Sequence, residues 1–179
     1  PEREAQILEF ILDRARFVFR EKLGFAYDEV NAVFRAGADD LVDAHHRLEA
    51  LCAIRKTRNF EPLAVSFKRI RKILEKAEAK EKGHALQPGL FELEAERELH
   101  AAVREAAARV QVQKRAGQYR EALEAIAGLR KAVDRFFVDV RVMAEKEAVR
   151  RNRLALLAEL LKEFTTIADF SELGGEETR

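Results

Sequence analysis

Tryptophan is absent from this 179-residue chain, cysteine and methionine occur once each, and proline occurs three times. A single Cys52 cannot build a disulfide scaffold within the chain, and it points to a reducing, cytoplasmic setting. Eight glycines beside three prolines exclude collagen-like and proline-rich chains. No apolar run approaches the roughly 18 residues that a membrane-spanning helix needs, so no membrane partner is expected. Glu2, Arg3 and Glu4 open an amphipathic pattern rather than a signal peptide. The chain starts at Pro1 without Met, which reads as a piece cut from a longer protein. A large net charge is missing too: 33 Lys and Arg stand against 32 Asp and Glu, leaving +1. With 47% apolar residues, that balance excludes disorder. A chain of this size buries roughly 70% of its unfolded surface, enough for one or two cores.

What is present is helical periodicity. Residues 4–22 place Ile7, Phe10, Ile11, Ala15, Phe17 and Val18 on one broad apolar face, and Gly24 ends the run. A short helix follows over 28–35, stopped by Gly37. Asp39 or Asp40 caps a third helix carrying Leu41, Ala44, Leu48 and Leu51. Pro62 sits in the first turn of a fourth, where its missing N–H costs nothing. There Leu63, Phe67, Ile70 and Leu74 recur at helical spacing as one buried stripe. Gly83, Pro88 and Gly89 mark a loop. Further helices are expected over 94–114, 119–129, 133–143 and 147–166. Val133, Phe136, Phe137, Val140 and Met143 line one, and Leu154, Leu157, Leu161 and Phe164 another. After Ile167 the chain turns polar, and 174–179 are expected to fray. The predicted organisation is all-α, about seven to eight helices, with N-terminal helices over 1–82, a loop over 83–93 and C-terminal helices over 94–179. Both halves carry apolar stripes, so one joint core and two separate cores are both open.

Catalytic patterns are lacking. There is no glycine-rich phosphate loop and no serine nucleophile elbow, and the carboxylates lie among Lys and Arg at ion-pair spacing on helices. Asp43, His45, His46 and Glu49 invite a metal reading, and a metal-dependent hydrolase using His45 and His46 would follow from it. No second cluster supplies the missing ligands, so His45 is expected to pack against its apolar neighbours, and no metal is expected. Cys52 reads as a small buried group rather than a nucleophile.

Charge is distributed unevenly. Over 55–76 the basic residues are Arg55, Lys56, Arg58, Lys68, Arg69, Arg71, Lys72 and Lys76, against Glu61 and Glu75 alone. Arg150, Arg151 and Arg153 form a second cluster around Asn152. One reading is an ordinary solvated face. The other is RNA, which needs cations for phosphates and flat groups for unstacked bases. Lys68, Arg69, Arg71, Lys72, Arg150, Arg151, Asn152 and Arg153 are the candidates, since Arg and Asn can read base edges while Lys neutralises phosphate. Phe67 and Phe137 could stack on bases, although their spacing suits a core.

Three segments carry a family resemblance: FILDRARFVFREKLGFAYDEVN at 10–31, FEPLAVSFKRIRKILEKA at 60–77, and VDRFFVDVRVMAEKEAVRRNRLALLAELLKEFTTIADF at 133–170. Together they resemble the C-terminal part of the beta subunit of bacterial glycyl-tRNA synthetases. The latter two are also similar to the helical DALR-type anticodon-binding domain of arginyl-tRNA synthetases. The resemblance implies an all-α helical bundle that binds glycine tRNA at its anticodon. It implies no catalytic residue and no cofactor in this piece: the alpha subunit carries the aminoacylation site in an alpha2-beta2 assembly, and ATP is used by the whole enzyme. The family often has Asn before the Lys-Arg of the second segment. Here Phe67 stands there, which argues against a base contact at that position.

Glycine codons place two cytosines at the end of the anticodon. Cytosine offers an amine donor, so reading it takes an acceptor beside the basic residues. Glu147 or Asp139 is expected to supply it. The competing class is a non-catalytic helical protein–protein interaction module using the helix over 94–115 and the basic face.

Overall fold

The computed structural model describes residues 2–174, with the side chains of Arg3 and of Gln6 onward. Among them are eight α-helices and no strand. These are α1 (Glu2–Phe17), α2 (Tyr27–Arg35), α3 (Leu41–Arg55), α4 (Phe60–Lys76), α5 (Glu94–Arg115), α6 (Tyr119–Ala127), α7 (Arg130–Asp139) and α8 (Glu147–Phe164). The helix starts and stops follow local chemistry. The Asp40 carboxylate accepts from the N–H groups of Val42 (2.8 Å) and Asp43 (3.1 Å), so Asp40 rather than Asp39 caps α3. After α1 the chain widens into one π turn, Val18–Lys22. Gly24 then adopts φ 75° while the Phe25 N–H donates to Phe19 O (3.1 Å), closing the helix as a left-handed cap.

One hydrophobic cluster runs through residues on both sides of the 83–93 segment. On α4 it takes in Leu63, Phe67 and Ile70, with Leu74 partly buried. On α8 it takes in Leu154, Leu156, Leu157, Leu160 and Phe164. Helix α5 packs against α6, α7 and α8, α3 lies on α6, and α4 packs against both α7 and α8.

The loop over 83–93 is pinned rather than free. Asn152 Oδ1 accepts from the Gln87 N–H (2.8 Å). Arg150 reaches Glu81 and donates to Ala144 O (2.8 Å). Arg153 donates to Glu96 Oε1 (2.9 Å) and to Arg141 O (3.0 Å). Glu96, wholly buried, also accepts from the N–H groups of Glu92 (3.0 Å) and Leu93 (2.8 Å) at the start of α5.

Three expectations need correcting. The apolar face of α1 faces solvent: Phe10 is 73% exposed, and Ile7, Ile11, Phe17 and Val18 are exposed with it. Among the described residues of that stretch, Ala15 and Phe19 are buried, and Phe19 is not on the expected face. Secondly, α7 stops at Asp139, and Met143 is exposed beyond it while Val140 and Val142 turn inward. Finally, the segment after Ile167 is core, not tail. Asp169 N–H donates to Ala32 O (2.7 Å), and a single 3-10 turn at Phe170–Glu172 drives Phe170 inward. Its ring meets those of Phe60 and Phe67 edge-on, each at 5.3 Å. One turn is too short to leave helical periodicity in the sequence. Gly174 is held by its N–H to Asp28 (2.8 Å), and the remainder of the expected frayed segment, 175–179, lies outside the described residues.

Asp28 anchors this closing segment to α3. Its carboxylate takes both Arg55 nitrogens, at 2.8 and 2.7 Å, as well as the Gly174 N–H. Burial pushes the Asp28 carboxyl up, but the hydrogen bonds and charge of Arg55 and the Gly174 N–H outweigh it and hold the group below its ordinary value. A depressed carboxyl pKa contributes stability at neutral pH that is lost as pH falls through the folded-state value. Asp28→Asn is therefore expected to flatten the acid limb of stability against pH, measured by urea unfolding between pH 7 and pH 3. In the same assay Phe136→Ala and Phe170→Ala each cost about 3–5 kcal/mol, because both rings are buried. Phe137→Ala, whose ring is only partly buried, costs less.

Candidate nucleic-acid interface

Helix α4 separates its two chemistries by rotation. The buried stripe starts at Leu63 and repeats at helical spacing. Val65, Arg69, Lys72 and Lys76 repeat the same spacing two residues later, roughly 200° round the axis. All four are exposed. Among the described residues, no carboxylate lies within ion-pair distance of Arg69, Lys72 or Lys76. The bridged Arg and Lys side chains of the helix and its approach are Arg55, with Asp28 and Glu29, and Arg71, with Asp169. Lys68 is half-buried and lies against Gly174 and Leu173.

Arg69 has an aromatic partner instead of an acid. Its guanidinium carbon lies 4.0 Å from the centroid of the Phe137 ring, on α7. Phe137 in turn meets the buried Phe136 edge-on at 5.6 Å.

At its far end α4 runs into the short 3-10 turn Ala79–Glu81, where Glu81 is bound by Arg150 at the start of α8. The exposed Lys80 ammonium is raised above its ordinary value first by Glu78, and Glu147 on α8 adds to it. The turn that follows α4 therefore meets the start of α8.

The residues expected to bind tRNA separate into two groups. Arg69 and Lys72 face outward from α4, Lys68 is half-buried beside them, and Arg151 lies part-buried on α8, bridged to Glu147. The other four are tied into the fold by partners within the chain. Arg153 is 5% exposed and paired with Glu96. Asn152 is 3% exposed and holds Gln87. Arg150 is committed to Glu81, and Arg71 to Asp169, whose carboxylate also faces Arg35 at 3.5 Å. A guanidinium beside a carboxylate gains charge-assisted hydrogen bonds, and the Asn152 amide oxygen satisfies a backbone N–H, although Arg71 Nε and Asn152 Nδ2 are left buried without a partner among the described residues.

Of the acids proposed to read cytosine, Glu147 bridges Arg151, and Asp139 bridges Arg135 at 3.4 Å. Both are exposed. The feature that sequence reading missed is the pairing of Arg69 with Phe137. Both stand in the segments that carry the resemblance, but nothing in either segment says that α4 and α7 meet there.

His45 lies 5.9 Å from the Phe19 ring, stacked, and 5.7 Å from that of Phe25, edge-on. Among the described residues, no group of three or more His, Cys, Asp and Glu could hold a metal ion. No described helix is long and apolar enough to cross a membrane.

Comparison with known proteins gives this geometry its context. Glycine–tRNA ligase beta subunits match nearly the whole chain. That of Acidobacterium capsulatum is 43% identical, over 94% of this chain and 25% of its own length. That of Myxococcus xanthus is 42% identical, over 98% of this chain and 25% of its own length. The Trichlorobacter lovleyi protein is 42% identical, over 94% of this chain and 24% of its own. The chain thus spans about a quarter of the length of these curated relatives. The DALR anticodon binding domain matches residues 63–169, from the first buried leucine of α4 to the Asp169 that Arg71 holds. With more than half its length in that match, the chain belongs to the DALR anticodon binding domain family.

Proposed function

We propose that this chain is the anticodon-binding region of a glycine–tRNA ligase beta subunit. It holds glycine tRNA while an alpha subunit, in an alpha2-beta2 assembly in the cytoplasm, carries out the ATP-dependent aminoacylation. The region itself contributes tRNA binding and no cofactor site. The observation that carries this reading is the outward face of α4, whose Arg69, Lys72 and Lys76 have no acid partner among the described residues, inside the segment that matches the DALR domain. Unpaired cations on a rigid helix suit the phosphates of an anticodon loop, because their charge is not already neutralised within the protein. Lys68 and Arg151 extend that surface at its two ends. Arg71, Arg150, Asn152 and Arg153 serve it by fixing α4, α8 and the intervening loop.

A second reading, a helical module that docks another protein, is favoured by one observation: α1 leaves Ile7, Phe10, Ile11 and Phe17 exposed. The two readings differ in what the basic face does.

Lys68→Gln, Lys72→Gln and Arg151→Gln are each expected to reduce the slope of log affinity against log salt by roughly one for glycine tRNA. Arg109→Gln, an exposed cation on α5 outside the proposed surface, leaves it unchanged. Filter binding at several salt concentrations checks this, and unchanged slopes in the first three variants favour the protein-docking reading. Exchanging the two anticodon cytosines is expected to remove the preference of the chain for glycine tRNA over non-cognate tRNA. Equal affinity for both anticodons overturns the anticodon assignment.

A further inference from the structure

Cations neutralise phosphates but do not grip an unstacked base; that takes a flat, exposed surface. Phe67, Phe136, Phe164 and Phe170 are all sealed in the core, and the exposed Phe10 and Phe17 stand on α1 rather than in the segment that matches the DALR domain. Phe137 differs. It is partly buried, on the last turn of α7, and its ring is covered by the guanidinium of Arg69 rather than by apolar side chains alone. Arg69 is exposed and, among the described residues, has no carboxylate and no hydrogen-bond acceptor to hold it. The guanidinium carbon of Arg69 lies over the Phe137 ring, 4.0 Å from its centroid, on a side chain that is otherwise exposed to solvent and able to stack on a second flat group.

We propose that the Arg69–Phe137 pair is the stacking shelf for one unpaired cytosine of the anticodon. The base lies on the outer face of the guanidinium, so that ring, guanidinium and base form one stack. This inference rests on the anticodon reading and deepens it.

The choice of cytosine follows from the surroundings of the shelf. Helix α7 ends two residues after Phe137, and among the described residues no backbone N–H is bonded to the carbonyls of Phe137, Val138 or Asp139. Open carbonyls at the negative end of a helix accept hydrogen bonds from an amine. Cytosine presents N4–H₂ on its pairing edge, whereas uracil presents a second acceptor there. The acceptor that cytosine recognition requires is therefore supplied by backbone, with no need for the acids already bridged to Arg151 and Arg135. Val138, whose carbonyl is one of the three, is 83% exposed. Lys72, one turn along α4 from Arg69, is placed for the phosphate of the stacked nucleotide.

The test uses the 179-residue chain and an anticodon-stem hairpin carrying the triplet GCC, with a fluorescent pyrrolo-cytosine at each cytosine in turn. Binding of the unmodified chain is expected to quench the probe at one of the two positions. Arg69→Lys keeps the charge but not the plane, and Phe137→Leu keeps apolar bulk but not the ring. Each is expected to abolish the quench and weaken binding about 5- to 150-fold, the range of a lost base stack. The salt slope of Arg69→Lys stays at that of the unmodified chain, which separates stacking from phosphate neutralisation. Arg69→Lys is an exposed change, so it remains readable even where Phe137→Leu lowers stability. Retained quench and affinity in Arg69→Lys, with Lys72→Gln still weakening binding, overturn the shelf and leave anticodon binding standing. An unmodified chain that binds the GCC hairpin no better than one with both cytosines exchanged overturns the anticodon reading and the shelf with it.

Discussion

The buried pair of Glu96 and Arg153 is the constraint on which the arrangement of this chain depends. Glu96 is wholly enclosed, so its charge has to be matched within the protein. Arg153 supplies the match from α8, and two backbone N–H groups at the start of α5 complete it. A buried carboxylate with three partners tolerates one geometry only, and removing either charge strands the other at a cost of about 3–5 kcal/mol. The pair therefore sets where α5 begins and how α8 lies across it. The loop between α4 and α5 is drawn into the same framework by Arg150 and Asn152, neighbours of Arg153 on the same turn of α8. Arg150, Asn152 and Arg153, which look like a nucleic-acid contact in the sequence, hold the two halves of the molecule together.

That framework leaves α4 free to display its outer face. Its inner face is fixed by Phe67 beneath the ring of Phe170, and its flank by Arg71 against Asp169. The chain after α8 thus folds back to brace the helix that carries the basic stripe. Rigid placement of the cations matters because ordering long side chains on binding costs entropy, and a fixed helix limits that cost. Arg69 is further restrained by lying on Phe137, which orders its guanidinium in advance.

The exposed apolar face of α1 is the counterpoint. Phe10 and its neighbours have helical spacing, the same signal that marks the buried stripes of α4 and α8. Periodicity states that a helix has an apolar side; it does not state what lies against that side. Within the described residues nothing covers it, and the core begins at Ala15 and Phe19.

The start of α3 and the stop after α1 were legible from the sequence because they depend on neighbours along the chain, whereas the end of α7 was not. Asp40 reaches N–H groups two and three residues ahead, and Gly24 takes a left-handed conformation that other residues resist. The all-α class, the stripe of Leu63, Phe67 and Ile70, and the outward positions of Arg69 and Lys72 follow from spacing within one helix. The roles of Arg153, Asn152 and Phe170 were decided only by tertiary structure, because their partners lie 57, 65 and about a hundred positions away in the chain. The same holds for the meeting of Arg69 with Phe137. Local sequence determines which side of a helix is charged, but whether a given charge meets water, an aromatic ring or a buried acid depends on which distant helix arrives beside it.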